Sequence, residues 1–184
     1  LDELTQSKLP ASEITSSRLL LPPVLTKDHS LNLKKLIDPL IERASATALL
    51  QGRDWYGPLQ WPHWIQEPRP KSENVIAEII ANLLENAFRY STPKSSVGLF
   101  INDKGICVWD NGKSIPLKER EQIFEKGFRG MSSLGKSGSG LGLALGYQLA
   151  KQFGGELVLL KSPSNFDSSL PVNGNAFVIF ISRE

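Results

Sequence analysis

The sequence predicts an α+β domain, with one sheet covered by helices on one face. Three observations lead there. Two long segments carry apolar residues at helical spacing, one hairpin is announced by its turn chemistry, and strands and helices mix with few crossovers. The length of 184 residues suits one domain with a sizeable core.

The first helix starts at Asn32, an N-capping residue type. Leu33, Leu36, Ile37, Leu40, Ile41, Ala44 and Ala48 then recur on one side up to about Gln51, where Gly52 stops the helix. Pro39 is a candidate kink. Residues 53–71 hold three tryptophans and four prolines, with a weakly signalled strand near Leu59 to Trp64. Ser72 is expected to cap a second helix running to about Tyr90, ended by Ser91-Thr92-Pro93. Ser96 to Ile101 and Ile106 to Asp110 read as strands joined by Asn102-Asp103-Lys104-Gly105. Residues 111–139 are polar and glycine-rich around an apolar knot of Ile123, Phe124 and Phe128. A third helix is expected from about Leu141 to Phe153, ending at Gly154-Gly155. Glu156 to Lys161 reads as a strand, Ser162 to Asn173 as a loop, and Ala176 to Ser182 as a closing strand.

Composition narrows the function classes. The net charge of +2 calls for neither nucleic acid nor an acidic membrane surface. No apolar run approaches the roughly 20 residues of a membrane-spanning helix, and no signal peptide is visible. Cys107, the single cysteine, excludes an internal disulfide and reads as strand packing between Ile106 and Val108. Residues 1–31 read as an arm or linker. The chain opens on Leu1 and is expected to be a piece of a longer protein.

Three groups of residues could carry chemistry. On the second helix, Glu78, Asn82, Glu85, Asn86 and Arg89 fall within about a 100° arc, opposite Ile76, Ile79, Ile80, Leu83 and Ala87. Mid-helix asparagine costs up to roughly 0.7 kcal/mol relative to Ala. Two of them are therefore poor choices for a solvated face, whereas amide oxygens one turn apart could approach a hard cation or polar ligand without adding charge. Helix geometry alone leaves both readings open. Second, Trp109-Asp110-Asn111-Gly112 ends a strand in a carboxylate that could accept from an exocyclic amine; alone it is a common turn. Third, Gly135-Lys136-Ser137-Gly138-Ser139-Gly140-Leu141-Gly142-Leu143 leads into a helix, and its amides could face an anion. It is not a Walker loop, because the Gly-Lys-Ser is followed by more glycines instead of a helix. No strand directly precedes it, which speaks against a dinucleotide fingerprint.

In this order the three groups resemble the histidine-kinase branch of the GHKL ATPase superfamily. The asparagine box is Asn82-Leu83-Leu84-Glu85-Asn86-Ala87-Phe88-Arg89-Tyr90-Ser91, and the first glycine box is Asp110-Asn111-Gly112. The phenylalanine box is Ile123-Phe124-Glu125-Lys126-Gly127-Phe128-Arg129-Gly130, and the second glycine box is Gly138 to Leu143. The resemblance covers about residues 32–184. It implies a two-layer sandwich with one mixed sheet, about three helices on one face and a mobile ATP lid from about Leu117 to Ser137.

The resemblance also implies the cofactors ATP and Mg²⁺ and a role for each matched residue. Asn86 would hold the metal, Asn82 would stand beside the phosphates with a catalytic part, and Arg89 and Tyr90 would lie near the nucleotide. Asp110 would read the adenine amine over Gly112, with Ile115 in the same wall. Phe124 and Phe128 would tether the lid. Gly138, Gly140 and Gly142, with Leu141 and Leu143, would bring amides to the phosphates. Arg129 would meet the γ-phosphate or the partner domain.

The implied activity is transfer of the ATP γ-phosphoryl group to a histidine on a separate, upstream dimerisation domain, with a response regulator as the indirect partner. No nucleic-acid or membrane contact is expected of this chain, and its expected location is the cytoplasm or a similar soluble compartment. Neither His29 nor His63 sits on a long helix suited to a phosphoacceptor.

Alternatives are a serine kinase of the same superfamily, a nucleotide-switched ATPase, and a scaffold that has lost its nucleotide. Gyrase-type relatives carry a water-activating Glu four residues before the metal asparagine; here that position is Asn82, which favours transfer over hydrolysis. Glu78 and Glu85 rank below no dedicated base. Ser114 stands where the family often has glycine, and Ala81 where some relatives carry a polar residue.

Overall fold

The computed structural model describes residues 32–67, 72–130 and 138–181. The expected arm at 1–31 and the Gly135-Lys136-Ser137 stretch lie outside them. Among the described residues there are four α-helices, α1 (Leu33–Gln51), α2 (His63–Gln66), α3 (Glu73–Tyr90) and α4 (Gly142–Gln152). Five strands, β1 (Asp54–Tyr56), β2 (Ser96–Asn102), β3 (Gly105–Asp110), β4 (Glu156–Leu160) and β5 (Asn175–Phe180), form one sheet in the order β1-β2-β3-β5-β4. β1 runs parallel to β2 and every other pair is antiparallel, so the sheet is mixed.

Local chemistry sets the boundaries. Asn32 caps α1, its side chain accepting from the Lys35 amide at 3.1 Å. The Gly52 amide returns to the Ala48 and Leu49 carbonyls at the other end, and the helix continues through Pro39. Ser72 occupies the N-cap of α3 without a capping bond from its side chain; its carbonyl accepts from Ile76 instead. The hairpin of β2 and β3 pairs Asn102 with Gly105, and the Asn102 side chain accepts from the Lys104 amide at 2.8 Å.

One expectation fails. The strand near Leu59 to Trp64 is absent: the strand is β1, nearer the first helix, and His63–Gln66 is a single helical turn. The tryptophans of this stretch pack on the body. Trp55 tilts against Phe88, Lys34 lies over the Trp61 ring at 4.6 Å, and Trp64 Nε1 donates to the Asn102 carbonyl at 3.3 Å.

Helices α1, α3 and α4 bury Leu36, Ile37, Leu40, Ile76, Ile79, Ile80, Leu83 and Ala150 against Val97, Leu99, Ile101, Ile106, Val108, Leu157 and Ile179 of the sheet. Strand alternation sends Cys107, Trp109, Ala176 and Val178 to the other face, where Phe166 and Leu170 of the 161–174 connection cover them. That connection contains a 3₁₀ turn, Pro163–Asn165. All six β3 residues are therefore buried, and burial pushes the Cys107 thiol pKa far up, as expected of packing sulfur.

Candidate nucleotide site

Helix α3 supplies the first wall. Asn82, Glu85, Asn86, Arg89 and Tyr90 are all half-buried, although Glu78, at the start of the same arc, is exposed. The opposite side is anchored by Ile79, Ile80, Leu83 and Leu84, each nearly inaccessible. Glu85 and Arg89 form an ion pair one turn apart.

The glycine-rich run meets this face. A Cβ placed on Gly138 would lie 2.8 Å from Arg89 Nη1 and 3.9 Å from the Tyr90 hydroxyl, so its backbone lies against the tips of these two side chains. Gly140 has φ +69°, and a Cβ there would lie 2.7 Å from the Phe128 carbonyl oxygen. The Gly140 carbonyl also accepts from the Gly127 amide at 3.2 Å, which ties the second glycine box to the phenylalanine box. Leu141 is the N-cap of α4 and Gly142 its first residue, with open space where a side chain would be. Leu143 turns inward, half-buried against the core, whereas Leu141 is exposed.

The third wall is the end of β3. Asp110 is 7% exposed. Its Oδ1 accepts from the Gly112 amide at 2.9 Å and from Asn175 Nδ2 at 3.1 Å. Burial pushes the Asp110 pKa up to about 6, with the Gly112 and Asn175 bonds pulling the other way. A Cβ on Gly112 would lie 3.6 Å from Ser91 Cα, which puts this turn against the C-terminal end of α3. Arg53 donates to the Ser91 and Thr92 carbonyls and holds that end in place. The acidic strand end and the glycine run thus both meet the C-terminal end of α3, at Ser91 and at the Arg89 and Tyr90 side chains, with Asn86 and Asn82 one and two turns further back along the helix.

The remaining residues border this region. The Ile115 amide donates to Asn175 Oδ1 at 2.8 Å. Phe124 stacks on Tyr147 of α4 at 5.0 Å and meets Phe177 edge-on at 6.3 Å. Phe128 packs half-buried on the main core. Arg129 is exposed, on the segment just beyond it.

Asn175 was not singled out from the sequence. It sits at the start of β5, where Asn173-Gly174-Asn175 reads as a turn. The structure makes it the hub of this wall, binding Asp110, the Lys113 carbonyl and the Ile115 amide. Ser114, in the position where the family often has glycine, donates to the Gly174 carbonyl at 3.2 Å and closes the same seam.

Known proteins share both pattern and fold. Residues 71–184 match the family described as histidine kinase-, DNA gyrase B-, and HSP90-like ATPase. The sensor histidine kinase Hik2 of Thermosynechococcus vestitus is 31% identical over 84% of this chain and 40% of its own length. The adaptive-response sensory kinase SasA of Crocosphaera subtropica is 33% identical over 54% of this chain and 28% of its own. Among solved structures, a mycobacterial sensor histidine kinase MprB superposes with a TM-score of 0.62 at 27% identity, covering 82% of this chain and 95% of that one. The catalytic domain of histidine kinase ThkA has the same TM-score at 19% identity and shares the fold.

The chain belongs to the histidine kinase-, DNA gyrase B- and HSP90-like ATPase family, and is of the ATP-binding catalytic-domain type found in sensor histidine kinases. It spans well under half the length of the curated relatives it matches. No helix among the described residues is long and apolar enough to cross a membrane.

Proposed function

We propose that this chain binds Mg-ATP at the end of α3 and transfers the γ-phosphoryl group to a histidine on a separate domain. The supporting observation is that Arg89 and Tyr90 lie against Gly138 while Ser91 lies against Gly112. One helix end therefore borders both glycine boxes at once, as a phosphate chain and its base require.

The roles follow from donor chemistry. Asp110 accepts from the adenine amine, because its second oxygen bears only the longer 3.3 Å contact from Asn175. Gly112 and Ile115 line the same wall. Arg89 and Tyr90 face the phosphates, and the Gly138, Gly140 and Gly142 amides, at the positive end of α4, bind their oxygens. Asn86 would hold the metal through its side-chain oxygen. Mg²⁺ needs few protein ligands where a substrate's phosphates are present, so this amide oxygen would hold it without adding charge. When bound, the metal neutralises charge on the β- and γ-phosphates.

Phosphoryl transfer needs positioning and charge stabilisation more than covalent help. Asn82 holds the γ-phosphate beside Asn86, and Arg129 reaches it or the incoming domain. An imidazole nitrogen of the acceptor attacks phosphorus and ADP departs. Asn82 stands where a water-activating carboxylate stands in hydrolysing relatives, which favours transfer over hydrolysis. The catalytic unit is 32–184, joined by the arm at 1–31 to the dimerisation and phosphoacceptor domain, and a response regulator receives the phosphoryl group from that domain. The setting is the cytoplasm or a similar compartment.

Mixing the chain with a separately made acceptor domain and labelled ATP tests this. The expected product is acid-labile, alkali-stable phosphohistidine on the acceptor. Phosphoserine, or free phosphate alone, refutes it.

A further inference from the structure

Arg120 makes an arrangement that no motif announces. Its Nε donates to the Ile115 carbonyl at 3.2 Å, one terminal nitrogen to Leu160 O at 2.9 Å, and the other to Lys161 O at 3.3 Å. One planar fork therefore joins three carbonyls from two segments remote in sequence. Leu160 ends β4, while Ile115 lies in the wall proposed to face adenine. Arg120 itself sits between two 3₁₀ turns, Leu117–Glu119 and Gln122–Phe124, the second of which opens the phenylalanine box.

The Ile115 residue is consequently held from both sides. Its N–H donates to Asn175 Oδ1 and its carbonyl accepts from Arg120. The Ser114 bond to Gly174 lies one residue away.

We infer that Arg120 is a positioning residue for the nucleotide site. It fixes Ile115 and the stem of the lid to the end of β4, so the adenine side is set before a nucleotide arrives. It acts through Ile115, without touching the ligand. The guanidinium suits this task because its five N–H groups are fixed in a plane, whereas a lysine ammonium is a point donor that cannot span three carbonyls in that geometry. A wall ordered in advance raises affinity by lowering the ordering cost of binding.

The inference rests on the adenine assignment above, and the experiment separates the two. Affinities of the unaltered chain, Arg120→Gln and Arg120→Lys are measured by calorimetry for Mg-ADP and for magnesium tripolyphosphate, which lacks the base. Arg120→Gln is expected to weaken ADP roughly tenfold while tripolyphosphate changes by less than about twofold. Arg120→Lys falls between. Amide exchange at Ile115 quickens on the order of tenfold, with the α3 amides unaffected.

ADP binding by Arg120→Gln equal to that of the unaltered chain overturns the inference. So does equal loss of both ligands with faster exchange throughout the core, which marks a structural role only. If the glutamine variant fails to fold, the lysine variant decides by the same readings. An unaltered chain that binds no ADP removes the nucleotide assignment together with this inference; unaltered ADP binding with an indifferent variant removes only this inference.

Discussion

Asp110 illustrates how a single residue sets stability against binding. Its native pKa, about 6, lies above the ordinary carboxylate value because burial disfavours the charge. Between about pH 4 and 6 the native state therefore holds more proton than the unfolded chain. The stability this group contributes is complete below pH 4 and lost as pH rises through about 6. Asp110→Asn keeps the shape and removes the charge, so the nucleotide-free protein should gain up to about 3 kcal/mol at pH 7, read from denaturant midpoints. The same variant should bind Mg-ATP more weakly while magnesium tripolyphosphate is unaffected, since only ATP presents an amine. Equal losses for both ligands count against the adenine role. In the unaltered chain, ATP affinity should fall as pH drops below about 6, tracking protonation of the acceptor. At the metal position, Asn86→Ala should abolish magnesium-dependent nucleotide affinity with little change in melting temperature; magnesium dependence that survives removes the assignment.

At the scale of elements, α3 was legible in the sequence because 18 residues repeat one period and both faces are distinct. The β2–β3 hairpin was legible through its turn residues. β1 was not: three residues carry no period, and the prolines around them mask the signal. Asn175 was missed because its role depends on partners 60 and 65 residues away, which no local pattern reveals. Ser162 to Asn173 read as a plain loop. The cover that the 161–174 connection gives the far sheet face rests on Phe166 and Leu170, two apolar residues without periodicity. Close backbone approach makes the connection's last residue critical. Gly174 has φ +120°, and a Cβ there would collide with the Asp110 carbonyl. Gly174→Ala should cost more than about 3 kcal/mol in chemical denaturation. Gly142→Ala, at a site open to solvent, should change stability by less than about 0.5 kcal/mol.

Taken whole, the molecule is a partition with a core on each side. The larger core joins α1, α3 and α4 to the sheet; Ile79→Ala, which opens a cavity at its centre, should lose about 2–5 kcal/mol. The smaller one lies on the sheet face opposite the proposed nucleotide site. Trp109 belongs to it, 5% exposed, with its ring laid over Gly98 and 5.6 Å from the Tyr56 ring. Trp109 is also bonded through one peptide to Asp110, on the strand between the two compartments. Its indole therefore lies within one residue of the proposed base-reading carboxylate yet on the opposite face of the sheet. In a variant with phenylalanine at Trp55, Trp61 and Trp64, nucleotide at the proposed site should alter Trp109 emission from the far face of the sheet; an unchanged spectrum counts against that coupling.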